Sequence, residues 1–147
     1  MSVQPKVTVI MPVFNASSTL TQALNSVLWQ GYEGLEVIVV DDGSTDDSCH
    51  ILSTFGDSIR VLHQRQQGPA AARNLALQQA QGDYIAFLDA DDVWLPGKLL
   101  MQVAYLQAHP DVSAVFGRFL RWEAQPSDGQ FAQPPARAAY EEAASRW

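Results

Sequence analysis

A single cysteine, Cys49, stands in 147 residues. An internal disulfide framework and an all-cysteine zinc site are therefore excluded, and this usage fits a reducing compartment. Cys49 itself reads as a small packed side chain. Basic residues are scarce as well: nine Lys and Arg against sixteen Asp and Glu give a net charge of −7. Phosphate backbones are held by clustered Lys and Arg, and with no such cluster here nucleic acid is excluded as the default partner. No run of eighteen apolar residues occurs, so no membrane-spanning helix is expected. Residues 1–13 lack the charged, apolar and small-residue parts of a signal peptide, and the expectation is a soluble, cytoplasmic chain. His50, His63 and His109 are far apart and fall into no metal-ligand spacing.

Apolar material is plentiful. Leu, Ile, Val and Phe make up 38 residues, which rules out disorder and suits one domain with a real core. The run Lys6 to Val13 is β-branched and of strand length. Leu20, Ala23, Leu24, Val27 and Leu28 then recur with helical spacing, with Ser17 or Ser18 as cap and Gly31 as stop. Leu35 to Val40 reads as a strand covered on both faces. A short helix (47–55), a strand (60–63), a helix (69–81, ended by Gly82) and a strand (84–88) follow. Alternation of this kind predicts an α/β fold: a doubly wound, mostly parallel, Rossmann-like sheet with helices on both faces. Pro96 opens a further helix with Leu99, Leu100, Val103 and Leu106 inward, and a last apolar stretch runs from Val112 to Trp122. Trp29 and Trp94 read as packing residues. No Leu, Ile or Val follows Leu120, so the domain is expected over residues 1–122, with a tail over 123–147 that turns helical from about 136.

Ligands of an open parallel sheet collect beyond the carboxyl ends of its strands. There the sequence places Phe14 and Asn15, then Asp41 and Asp42, then Asp89, Asp91 and Asp92. Carboxylates gathered at one rim are most simply reconciled by a hard divalent cation, Mg²⁺ or Mn²⁺, which commonly brings phosphates. Asp89-Ala90-Asp91, read as extended, sets two carboxylates on one side with small Ala90 between them. Arg73 follows a Gly68-Pro69 helix entry and suits a diphosphate. Phe14, at a strand exit, suits stacking on a base. Each piece has an ordinary structural alternative: Asp42 to Asp46 as turn and cap, Arg73 on a solvated face, Phe14 in the core.

Four segments occur in order: Met-Pro-Val-Phe-Asn, Val-Asp-Asp-Gly-Ser-Thr-Asp, Gly-Pro-Ala-Ala-Ala-Arg-Asn and Asp-Tyr-Ile-Ala-Phe-Leu-Asp-Ala-Asp-Asp. Together they resemble the nucleotide-sugar-binding half of the family 2 glycosyltransferases, inverting enzymes of the GT-A fold. The resemblance covers about residues 5–122 and includes Val93 to Leu99, similar to the family's stretch after its Asp-x-Asp motif. It implies a nucleotide-sugar donor, UDP-sugar favoured, with Mg²⁺ or Mn²⁺. It also implies a nucleotide site at Pro12, Phe14, Asp42, Arg73 and Asp89, and metal ligands at Asp91 and Asp89, with Asp92 as the neighbouring alternative. The acceptor stays open, a saccharide or a lipid-linked saccharide. The family's acceptor half, with its catalytic base, has no counterpart before Trp147. Glu123, Glu141 and Glu142 match no base motif, so no catalytic residue is assigned. The expectation is a donor-binding domain whose C-terminal half is absent, or else a non-catalytic nucleotide-sugar module. An uncovered surface with Trp122, Phe131 and Trp147 would suit self-association. A receiver-like signalling domain fares worse, because the Val-Asp-Asp string follows the second strand and no Lys sits opposite the carboxylates.

Overall fold

The computed structural model describes residues 4–119. The tail, its expected helix, the boundary at 122 and the contact residues Trp122, Phe131 and Trp147 lie outside the described residues. Four strands, β1 (Val7–Val13), β2 (Leu35–Asp41), β3 (Arg60–His63) and β4 (Tyr84–Phe87), form one wholly parallel sheet in the order β3-β2-β1-β4. The helices are α1 (Leu20–Leu28), α2 (Ser48–Ser53), α3 (Pro69–Leu77) and α4 (Lys98–Ala108), with a 3-10 turn at Gly56–Ser58. This is the expected α/β fold.

Strand alternation divides the core. Ile10, Ile38 and Val40 turn toward α3 and pack with Ala72 and Ala76. Val7, Val9, Met11, Val13, Val37 and Val39 take the other face, also buried. Right-handed crossovers put α1 and α2 there, because β1, β2 and β3 step outward in turn, whereas α3 returns the chain across the sheet to β4. Burial of each full Val, Leu or Ile side chain contributes about 1.5–3 kcal/mol, so the β1–β2 pair anchors the domain. In α1 the residues Leu20, Ala23, Leu24 and Val27 are buried as their spacing requires.

Four local expectations need correction. The cap of α1 is Thr19, not Ser17 or Ser18; the Ser17 N–H instead donates to Asp46 and that of Ala16 to Ser48 Oγ, tying this loop to the one after β2. Helix α3 ends at Leu77 rather than continuing to Gln81. Side chains from the sheet capture the chain beyond it: Gln81 N–H donates to Glu36 and Gly82 N–H to Thr8 Oγ1. A Cβ at Gly82 would lie 2.5 Å from the Thr8 nitrogen, so glycine is required by close approach rather than as a simple stop. Trp94 is buried, as read, but Trp29 is 76 % exposed, because it sits just past the last buried turn of α1. Cys49 is exposed rather than packed.

Among the described residues, those to Trp94 form one compact unit and those from Leu95 another. In the second, α4 begins at Lys98 after Gly97, whose positive φ of 78° glycine adopts without strain. Leu99 and Val103 are buried and Leu106 is half-buried, whereas Leu100 is exposed. One helical face holds the first three, and Leu100 lies about 100° around from Leu99. Residues 112–119 carry no regular element. No helix of the described residues is long and apolar enough to cross a membrane.

Candidate functional site

The sheet order reverses between β1 and β4, since β1 connects outward through α1 while β4 arrives from the far edge. A crevice is expected outside the strand ends at such a switch point. A cleft of about 480 Å³ lies there, and Pro12, Phe14, Asp42, Arg73, Asp89 and Asp91 all line it. Six residues spread over eighty positions are thus brought together by β1, α3 and the loops that follow β1, β2 and β4.

Phe14 directly follows β1 and is 43 % exposed, so its ring is a cleft wall rather than core. Asn15 holds it there. Its φ is 48°, a left-handed conformation that Asn tolerates better than most residues. Its N–H donates to Ser44 Oγ at 3.0 Å, and its Oδ1 accepts from the Thr45 N–H at 2.7 Å. These bonds lock the loop after β1 to the loop after β2. The sequence signal for Asn15 was its place after a strand; its partners were not visible locally.

Asp42 is nearly inaccessible, at 3 % exposure. Its Oδ1 accepts from Gln64 Nε2 at 2.6 Å and Gln67 N–H at 2.8 Å, and its Oδ2 accepts from Gly68 N–H at 2.8 Å. Burial pushes its pKa upward, but those three bonds outweigh it and hold the carboxyl below its ordinary range. A carboxylate offers about four lone-pair positions. The three bonds account for both positions on Oδ1 and one on Oδ2. Asp42 therefore shapes the entry to α3 as well as facing the cleft, and sequence reasoning missed Gln64 and Gln67 as its partners.

Arg73 projects from α3 and pairs through Nη2 with Asp89 Oδ1. Both side chains are partly exposed, so the pair contributes little to stability and can be opened by a competing anion or cation. Asp89 and Asp91 do not leave an extended segment as expected. Strand β4 ends at Phe87, and Asp92 N–H donates to Asp89 O at 3.0 Å, closing a turn. Buried Ala90 lies between them, and both residues still line the cleft. Asp92 is not among the cleft-lining residues; burial and the neighbouring charges of Asp91 and Asp89 raise its pKa.

Asp41 leaves this group of rim carboxylates altogether. Alternation turns it to the opposite face of β2 from Asp42, where Ser44 N–H donates to Oδ1 at 3.2 Å and Cys49 Sγ to Oδ2 at 3.3 Å. His63 Nδ1 lies 3.4 Å from the same Oδ2. Burial pushes the Asp41 pKa up, and the bonds from Ser44, Cys49 and His63 prevail to hold it low. Partial desolvation of the thiol, and after it the hydrogen bond to and negative charge of Asp41, keep the Cys49 thiol above its usual value.

For a hard divalent cation the cleft offers oxygen ligands, among them the carboxylates of Asp89 and Asp91. Mg²⁺ and Mn²⁺ are commonly held by one or two carboxylates with substrate phosphates completing the shell. The donor set fits such an ion.

Comparison with known proteins agrees with this architecture. The model of Glycosyl transferase family 2 matches residues 8–131. An Escherichia coli protein named UDP-Glc:alpha-D-GlcNAc-diphosphoundecaprenol beta-1,3-glucosyltransferase WfgD is 40 % identical over 115 residues, 77 % of this chain and 45 % of its own length. Among solved structures, S. aureus TarS 1-349 in complex with UDP superposes with a TM-score of 0.67 at 31 % identity, covering 81 % of this chain and 39 % of that one. The mannosyltransferase PcManGT of Pyrobaculum calidifontis, in complex with GDP-Man and Mn²⁺, gives 0.66 at 30 % identity, covering 71 % and 33 %. The chain spans less than half the length of the curated relatives it matches.

Proposed function

The chain belongs to Glycosyl transferase family 2, and on that footing we propose that it forms the donor-binding part of an inverting, metal-dependent glycosyltransferase that takes a UDP-sugar. The observation that carries this reading is the convergence of Phe14, Asp42, Arg73, Asp89 and Asp91 on one cleft at the switch point of the sheet. The UDP complex of a structural relative supports the choice of nucleotide, and the Mn²⁺ complex of another supports a cation.

Phe14 offers its exposed face to the nucleobase, with Pro12 beside it. The free lone pair of Asp42 accepts the imide N–H of uracil; because the carboxyl is held ionised and its other positions are filled, it is an acceptor of fixed direction. Arg73 exchanges Asp89 for the diphosphate, where a guanidinium can make two parallel bonds. Asp91 and the released Asp89 would hold Mg²⁺ or Mn²⁺. When bound, that ion supplies positive charge against the departing nucleoside diphosphate. No residue is assigned as base toward the acceptor, which is a saccharide or lipid-linked saccharide in this reading.

Replacing Asp91 by Ala tests the assignment. Metal-dependent UDP affinity should fall by about tenfold or more, while the fold, followed by circular dichroism, stays intact. Unchanged metal-dependent affinity would remove Asp91 from the site.

A further inference from the structure

Topology assembles a second polar cluster on the other face of β2. Asp41 ends β2 and His63 ends β3, and the two are direct partners in the parallel register. Cys49 lies in the first turn of α2, the element that follows β2. One ligand atom from each lies within 4.8 Å of the others. Cys49 Sγ is 3.3 Å and His63 Nδ1 is 3.4 Å from the same oxygen, Asp41 Oδ2. Ordinary zinc bonds of about 2.0–2.3 Å at tetrahedral angles set ligand atoms about 3.3–3.6 Å apart. Two edges of that tetrahedron therefore already stand near their required lengths.

We propose that Asp41, Cys49 and His63 bind one divalent ion of the zinc class, at a site separate from the nucleotide cleft. The buried carboxylate is a fixed ligand, held by the Ser44 N–H through its other oxygen. Cys49 and His63 are exposed, so the ion has an entry path and water takes the fourth position. On binding, the thiol proton leaves to solvent and the thiolate replaces the S–H···O contact with a bond to the metal. Carboxylate and thiolate together balance the charge of the ion. Sulfur and nitrogen ligands set this site apart from the oxygen-only pair Asp89 and Asp91: it selects zinc or cobalt over magnesium. The inference rests on these three residues and does not depend on the donor-binding reading.

The reduced 147-residue chain, titrated with Zn²⁺ and separately with Co²⁺, tests it. One ion per chain is expected, and bound Co²⁺ should show a thiolate-to-metal charge-transfer band, for which Cys49 is the sole possible source. Zinc should slow alkylation of Cys49 by about tenfold or more, a measurement on the unaltered chain that needs no variant to fold. His63→Gln should weaken zinc binding by about tenfold, and Asp91→Asn should leave the cobalt band in place. Cobalt bound without the band, alkylation unaffected by zinc, or one ion shared by two chains would each overturn the proposal.

Discussion

Asp41 and Asp42 are neighbours in the chain and almost equally buried, yet they meet their partners on opposite faces of the sheet. Asp42 faces α3, gathers one side-chain and two backbone amides around itself and lines the cleft. Asp41 faces α2 and keeps company with a thiol and an imidazole. A two-residue period in a strand is enough to send consecutive carboxylates to different chemistry. The pair also shows that burial alone does not define a ligand site: what matters is which donors are already satisfied and which acceptor positions are left.

Removing each carboxylate should break this comparison in a different way. The largest effect is expected for Asp42→Ala, which strips the acceptor from the Gln67 and Gly68 amides; a loss of about 2–4 kcal/mol in urea unfolding should accompany loss of UDP binding. A variant that unfolds like the parent would show that the loop holds itself without Asp42. Asp41→Ala should cost less, about 1–2 kcal/mol, since one backbone amide loses its partner, and UDP affinity should stay within about threefold. A parallel collapse of UDP binding would mean that the two faces are coupled.

Acid titration sharpens the contrast further. Both carboxyls have pKa values lowered by folding, so the folded chain binds fewer protons than the unfolded one near the ordinary Asp value of about 3.9. Their contribution is complete above that value and is lost as pH falls through the lower folded-state values. Urea midpoints should therefore hold from pH 7 to about 5 and decline below, and Asp42→Asn should make the decline shallower. An equally steep acid limb in the variant would assign it to other carboxylates, such as Glu36, whose pKa is also lowered. The smallest expected effect is that of Asp91→Asn on stability, within about 0.5 kcal/mol, because the side chain is exposed. A larger change would give Asp91 a structural part.

Much of this was legible in the sequence because it is written locally. Continuous β-branched runs placed β1 and β2, and Arg60 to His63 is a strand with the bounds its pattern suggested. The ordered motifs marked the rim residues that the sheet carries to one cleft. What stayed hidden depends on partners distant in the chain. The end of α3 is decided by Thr8 and Glu36, more than forty positions upstream. Asp89 pairs with Arg73, sixteen positions upstream. Cys49 read as a small packed side chain and His63 fell into no metal-ligand spacing; the β2–β3 register and the start of α2 bring them to one oxygen of Asp41. Local pattern says which residues point off a strand, and only pairing says what they meet.

The donor-binding reading meets its most direct test in isothermal titration of UDP into the 147-residue chain, with Mn²⁺ and again with EDTA, beside GDP and dTDP. One UDP per chain, bound in the presence of Mn²⁺, lost with EDTA and preferred over the other two nucleotides, is the expected result. Absence of binding by any nucleotide with Mn²⁺ present would contradict it and leave the cleft as scaffold alone.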